Sequence, residues 1–307
     1  MGREGPPVRS EGRDGRGRET PLNPRQRVAV MFLLFICIAS ILCIPSDALA
    51  WGPLTHTYLS NQVLSLGALL PAGIYKIIKR HRKDFIYGNL MADIIVGKKY
   101  LPDHKNSHNW GFAFNLLSAA ATNQQKAFVY GYLSHLAADT VAHNTYTANR
   151  KSIRHTLLEM KADSIIDKKY WQQAVYIEPE IQMRNDLFLQ NSIERFIFSF
   201  KTNKRILKGA VYLTICYPPR ISDFIDRNLV TYVPDREKIE RLHHESLDRI
   251  VDLFQHWEKS AALKLNPCGH MHRKKFMNGE FKSFLFRPIH MTPVEFLRKT
   301  RKRFTDR

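Results

Sequence analysis

Acidic residues are scarce in this chain of 307 residues, which has 28 Asp and Glu against 47 Lys and Arg and a formal net charge of +19. Such an excess of basic residues is high for a globular protein and favours contact with phosphate-rich partners. Nucleic acid, anionic lipid and a phosphorylated substrate all satisfy this charge. The hydrophobic fraction of 44% is enough to build a sizeable core, as one large domain or two small ones.

The chain also lacks an apolar run of comfortable membrane-spanning length, because its longest run, residues 28–44, is short for a bilayer. A basic leader precedes this run, and Ala48 and Ala50 follow it with the spacing of a signal-peptidase site. We therefore expect residues 1–50 to be a leader and signal peptide that is cleaved after Ala50, and the protein to be periplasmic or secreted. An uncleaved segment that anchors the protein in the membrane is the alternative.

Cysteine is rare, with four in the chain. Cys37 and Cys43 lie in the expected signal segment, which leaves Cys216 and Cys268 and permits at most one disulfide in the mature protein. Residues 1–50 hold seven Arg and five acidic residues, so the remaining 257 residues keep +17 of the formal charge. The basic character therefore belongs to the mature protein.

The sequence also lacks a series of segments with the alternating polar and apolar residues of β-strands. The β-branched cluster at residues 209–216 is isolated. No internal repeat of solenoid period occurs. Helical periodicity and length instead predict an all-α domain over residues 51–265. The helical segments are residues 59–70, 72–81, 110–123, 124–143, 152–167 and 236–265.

The last 42 residues, 266–307, form a separate C-terminal segment with eleven Lys and Arg, three acidic residues and six Phe. Basic residues interleaved with aromatic ones suit a membrane surface or single-stranded nucleic acid. A solvated tail that packs partly on the domain is the alternative.

Possible metal ligands are concentrated between residues 135 and 159. His135, Asp139 and His143 recur every four residues, so they share one face of a helix whose other positions are almost all apolar. A carboxylate and two imidazoles are costly to bury there unless they are paired or bind a metal. His155 and Glu159 repeat the spacing on the next predicted helix. Mixed His and carboxylate ligands favour zinc, with manganese or iron as alternatives.

Cleavage after Ala50 would make Trp51 the first residue, with His56 five positions later. In this respect the sequence resembles the zinc-dependent phospholipases C of bacteria, whose mature chains begin with a Trp that chelates zinc through its amino nitrogen and carbonyl oxygen. Fungal single-strand nucleases share the same all-helical fold. The resemblance is clearest over residues 51–165.

The resemblance implies three zinc ions that are distributed over nine residues. Asp139 would bridge two of the ions, and Asp93 would orient the attacking water, act as its base or ligate a metal. The implied ligand sets are His108, His135 and Asp139 for one ion, Trp51, His56 and Asp139 for a second, and His143, His155 and Glu159 for a third.

One spacing departs from the bacterial pattern. Five residues separate the Asp from the next His in those phospholipases and nucleases, whereas three separate Asp139 from His143. The shorter spacing is similar to that of the glycosylphosphatidylinositol-specific phospholipase D branch. The departure concerns the geometry around His143 and the choice of substrate.

The resemblance thus implies an exported zinc-dependent phosphodiester hydrolase, with phospholipase C or D-type cleavage of phospholipid head groups as the leading expectation. The partner would be a phospholipid or membrane surface, and no protein partner is evident. A nuclease or nucleotidase of the same fold is the first alternative. A non-catalytic lipid-binding protein that keeps its metals for stability is the second. His243 and His244 lie in a charged helical segment, and we expect both at the surface.

Overall fold

The computed structural model describes residues 2, 51–94, 106, 108–143, 159, 161–167, 169–193, 199–216 and 236–268, without the side chains of residues 171, 210 and 213–216. No strand occurs among these residues, which confirms the all-α prediction. Short 3₁₀ helices cover Gly67–Leu69, Trp257–Lys259 and Ala261–Lys264. The α-helices are α1 (Pro53–Ser65), α2 (Ala72–Arg80), α3 (Arg82–Met91), α4 (Trp110–Ala119), α5 (Asn123–Val141), α6 (Lys169–Val175), α7 (Pro179–Ser192), α8 (Phe200–Cys216) and α9 (Arg236–His256).

Helix α5 is the central element of the core. It begins at a capping box, in which Thr122 Oγ1 accepts a hydrogen bond from the Gln125 backbone N–H and the Gln125 side chain accepts one from the Thr122 N–H. Every residue from Ala127 to Val141 is buried. A helix that is enclosed on all sides belongs in the interior of the fold, and the helices that contact α5 most are α3 and α9.

Helices α3 and α5 touch backbone to backbone at two glycines. A Cβ placed on Gly88 of α3 would overlap the Phe128 carbonyl oxygen, and one placed on Gly131 of α5 would overlap the Phe85 carbonyl oxygen. Only glycine permits such a close approach. The contact lies one helical turn before His135, so it sets the distance between the end of α3 and the ligand-bearing part of α5.

Several predicted helices agree with the structure, and the differences have local causes. The predicted helix 236–265 ends as α9 at His256 and continues as 3₁₀ turns. Helix α3 was not predicted because it is buried from Asp84 onward and so has no polar face to produce a periodic pattern. The β-branched cluster at residues 209–216 forms the second half of α8.

Some predictions fall on residues that the structure does not describe. These include the leader and signal peptide, residues 1–50, and most of the C-terminal segment, residues 266–307. The domain boundaries therefore stay predictions. Among the described helices, none has the length and apolarity needed to cross a bilayer.

We expect Gly131→Ala to destabilise the protein, because the added methyl group meets backbone that cannot rotate away. Overpacking of this kind costs about 1–3 kcal/mol, and rigid backbone on both sides places Gly131 at the upper end. Gly209→Ala is the matched control, since Gly209 lies in α8 with open space around it. It should raise the free energy of unfolding by up to about 1 kcal/mol. Denaturant unfolding of both variants measures the difference, and equal effects would contradict the close contact.

Candidate metal centre

Five candidate ligands come together from different parts of the chain. His135 and Asp139 lie one turn apart on α5, and His56 lies in the first turn of α1. Asp93 follows the end of α3 by two residues, and His108 precedes the start of α4 by two. All five side chains are buried, with Asp93 the most accessible at 6% exposure. The structure thus brings these five candidate residues together, whereas their assignment to particular ions stays a prediction.

Asp139 lies between three imidazole rings. Its Oδ1 is 3.1 Å from His56 Nε2, and its Oδ2 is 2.9 Å from His108 Nε2 and 3.1 Å from His135 Nε2. Asp93 approaches the same pair from farther away, with Oδ1 3.6 Å from His108 Nε2 and Oδ2 3.5 Å from His135 Nε2. The Nε2 atoms of His108 and His135 are 3.0 Å apart.

His108, His135 and Asp139 have the spacing of three ligands of a tetrahedral zinc site, and Asp93 lies beside them. Ligand atoms of Asp93, His108, His135 and Asp139 all lie within 4.8 Å of one another. Zinc–ligand bonds of about 2.0–2.1 Å place tetrahedral ligand atoms about 3.3–3.4 Å apart, and the separations above lie on both sides of that value. Neither Asp139 oxygen accepts a well-angled hydrogen bond from a described residue, despite the short distances. The Asp139 oxygens and the imidazole nitrogens therefore face one another at short distance, as the ligands of a cation do.

The electrostatics of the cluster favour positive charge at its centre. Burial lowers the pKa of His135, but the Asp139 and Asp93 carboxylates outweigh burial and raise it to about 9. Burial would raise the pKa of Asp139, yet the adjacent His135 and His56 hold it well below its ordinary value. Burial and the neighbouring His135 lower the pKa of His56. Positive charge at the centre stabilises two carboxylates in this setting, and a bound metal ion would supply it.

The start of α1 is fixed by a residue that lies far away in sequence. Gly52 has no side chain with which to cap the helix, and buried Asp163 takes this role. It accepts hydrogen bonds from the backbone N–H groups of Leu54 at 3.1 Å and Thr55 at 2.8 Å, and from Thr55 Oγ1 at 2.7 Å. Burial raises the pKa of Asp163 to about 6, against the lowering effect of these hydrogen bonds. The cap holds the first turn, and therefore His56, in place.

Trp51 is anchored by α9. Its side chain is fully buried, and its Nε1–H donates to Ser246 Oγ at 3.1 Å. The indole ring also makes an edge contact with the His243 ring, with the centroids 5.1 Å apart. The chain that enters α1 is thus held from both sides, by Asp163 and by α9. This arrangement keeps the backbone of Trp51 close to the helix that carries His56.

His108 is held by contacts to its backbone and to Nδ1, the ring nitrogen that does not face Asp139. The Asn106 side chain accepts a hydrogen bond from the His108 backbone N–H at 2.9 Å. Cys268 Sγ lies 3.2 Å from the His108 carbonyl oxygen and 3.5 Å from its Nδ1. An outer partner at Nδ1 orients an imidazole so that Nε2 faces a metal. The sequence permits Cys268 to pair with Cys216, whose side chain lies outside the described residues.

The third predicted ligand set is only partly described. His143 lies half-buried just beyond the end of α5, and Glu159 is buried at 2% exposure. His155 lies outside the described residues. Within the described part of the chain, His143 and Glu159 are not members of the four-residue group around Asp139. The assignment of this set to a further ion stays a prediction.

The prediction that His243 lies at the surface is wrong. Its side chain is 3% exposed, beside Trp51 and Tyr58, whereas His244 is exposed as expected. Burial lowers the pKa of His243 to about 4. The sequence signal was available, since His243 follows Ile239 by four residues and falls on the apolar face of α9. The charged neighbours of His243 in sequence obscured that face.

Comparison with known proteins supports the assignment of this cluster to a family. No curated protein and no solved structure is significantly similar to the chain. Residues 55–206, however, match the family described as zinc dependent phospholipase C. The matched region contains His56, Asp93, His108, His135 and Asp139, which are the residues that the fold brings together. Residues 55–206 are therefore a domain of the zinc-dependent phospholipase C family.

Proposed function

We propose that the protein is an exported zinc-dependent phosphodiester hydrolase that cleaves phospholipid head groups. The buried group of Asp93, His108, His135 and Asp139 carries this proposal, because its spacing suits zinc and its residues lie within the family domain. The basic charge of the chain, +19, suits a phosphate-bearing substrate at an anionic surface.

The residues of the cluster divide the work of hydrolysis. His108, His135 and Asp139 would hold the ion, and a bound ion would supply positive charge to the phosphate oxygens and lower the pKa of the attacking water. Asp93 is the most accessible member of the group and the farthest from the imidazoles. We assign Asp93 the role of the general base that accepts a proton from the attacking water. The water oxygen forms the new bond to phosphorus, its proton passes to Asp93, and the bond from phosphorus to the leaving oxygen breaks.

Further ions belong to the proposal. Asp139 turns its second oxygen toward His56 at 3.1 Å, which supports the proposal that this carboxylate would bridge two ions. The amine and carbonyl of Trp51 would complete the second ligand set after cleavage at Ala50. His143, His155 and Glu159 would form the third. Closely spaced cations suit phosphodiester hydrolysis because they stabilise the attacking and leaving oxygens together.

An activity panel tests the proposed function. Purified protein is assayed on phosphatidylcholine, a glycosylphosphatidylinositol and single-stranded DNA, with and without a chelator. We expect hydrolysis of a phospholipid that the chelator abolishes and added zinc restores. Release of phosphocholine rather than choline identifies C-type cleavage. Hydrolysis of DNA alone would replace the proposal with a nuclease, and zinc content without any hydrolysis would favour a lipid-binding protein.

Asp139 and Asp93 should respond differently to the same substitution. Asp139→Asn should lose both metal and activity, because a neutral amide is a poor substitute for a carboxylate that contacts three imidazoles. Asp93→Asn should lower kcat by about 10²–10⁴-fold, the range for a general base, while most of the metal stays bound. Metal analysis and kinetics of both variants measure the split.

Asp248→Asn, at an exposed position of α9, is the matched control and should change neither quantity. Full metal occupancy in Asp139→Asn would overturn its bridging role. Near-normal turnover in Asp93→Asn would remove Asp93 from the chemistry.

Export and cleavage after Ala50 are also part of the proposal, because only a free α-amine at Trp51 can ligate a metal. N-terminal sequencing of the exported protein should give Trp51 as the first residue. A protein that keeps residues 28–50 and still has full metal content and activity would contradict both the cleavage site and the role of the amine.

A further inference from the structure

A cavity, which we call the outer cleft, lies away from the metal cluster. Its volume is about 500 Å³, within the range of small-molecule sites. The walls come from the outer face of α1, from α2, from the start of α3 and from α6. The lining residues are Asn61, Gln62, Leu64, Ser65, Tyr75, Lys79, Arg82, Lys169, Tyr170 and Gln173.

The lining of the outer cleft is cationic, and it contains no carboxylate among the described residues. Lys79, Arg82 and Lys169 supply three positive charges. Lys169 has an exposed partner outside the lining, Asp167, at 3.2 Å, and such surface pairs are weak. Neither Lys79 nor Arg82 forms an ion pair with a described carboxylate. The cleft therefore carries positive charge that its own walls do not neutralise.

The cations are held in place by neutral groups. Arg82 donates hydrogen bonds to the Asn61 side-chain oxygen and, at 3.2 Å, to Gln173 Oε1. Buried Asn61 is itself fixed, because its Nδ2 donates to the Thr57 carbonyl oxygen at 2.8 Å. Lys79 Nζ lies 5.4 Å from the centroid of the Tyr75 ring. Contacts with neutral partners orient the cations and leave their full charge for a ligand.

The outer cleft and the metal cluster use opposite faces of α1. At about 100° per residue, the polar lining residues of α1, which are Asn61, Gln62 and Ser65, lie about 140–240° around the helix from His56, whereas apolar Leu64 lies about 80° away. The two sites are thus separated by the body of the helix. A ligand in the outer cleft does not occupy the position of the substrate at the metal cluster.

We propose that the outer cleft binds a phosphorylated polyol, either as a lipid head group or as a free phosphate ester. The three cations receive the phosphate groups, and the amide and hydroxyl groups of Asn61, Gln62, Ser65 and Gln173 receive ring hydroxyls. This binding site is distinct from the proposed hydrolytic site and does not depend on metal.

Calorimetric titration of the purified protein with inositol hexakisphosphate tests the proposal, with unphosphorylated inositol as the negative probe. We expect the phosphorylated probe to bind and the double variant Lys79→Gln/Arg82→Gln to weaken its Kd by about 10-fold or more, through the loss of two charged contacts. The control is Lys76→Gln/Arg80→Gln, which removes the same charge from exposed residues of α2 outside the lining. It should change the Kd by less than about threefold, because these exposed side chains do not line the cleft and solvent screens their charge.

Thermal melting verifies that both double variants are folded, and co-sedimentation with phosphatidylcholine vesicles, with and without a phosphoinositide, identifies the source of the ligand. Binding to phosphoinositide vesicles that the cleft variant loses assigns a lipid head group, whereas binding of the soluble probe alone assigns a free phosphate ester. Equal losses in the two double variants would reduce the effect to general charge attraction and overturn the site. Absence of binding to every phosphorylated probe would also overturn it. Metal content, measured in parallel, separates this result from any failure of the hydrolytic proposal.

Discussion

The backbone contact between α3 and α5 at Gly88 and Gly131 is the constraint on which the metal cluster depends. Gly131 lies one turn before His135, and Gly88 lies five residues before Asp93, so the close approach brings a loop carboxylate against a helix imidazole. Metal sites tolerate deviations of only about 0.2 Å in ligand distance. A side chain between the two helices would separate them by more than that. The packing of α3 against α5 in the core therefore also sets the distances between the candidate ligands.

Charge burial explains why this core needs a cation. Two carboxylates and three imidazoles lie within a helical interior, where unpaired charge is expensive. The raised pKa of His135 and the lowered pKa of Asp139 both reflect a centre that attracts positive charge. A metal that binds only to the folded chain also stabilises it by mass action. The same interaction that organises the proposed chemistry thus ties several segments of the chain together.

The basic residues of the chain have different surroundings, because some pair with carboxylates and others do not. Arg184 pairs with buried Asp84, and Lys204 pairs with Asp186, so these cations stabilise the packing of α7 and its neighbours. Lys79 and Arg82 instead face the outer cleft without a described carboxylate. Helix α1 contributes to both the metal cluster and the outer cleft, because one face carries His56 and the other lines the cleft. The proposed hydrolytic site and the proposed cleft site would give the protein two separate phosphate-binding faces.

The sequence by itself predicted the all-α class, the resemblance to the family and the candidate residues that the fold brings together, because helical spacing and ligand chemistry are local properties that a chain displays directly. It did not determine the contacts that hold the cluster. The cap that Asp163 provides to α1, the anchoring of Trp51 by Ser246 and the support of His108 by Cys268 join residues more than a hundred positions apart. His243 was misplaced because burial depends on which helix face meets the core. Such relations arise only when helices pack, since no local pattern encodes the partner across an interface.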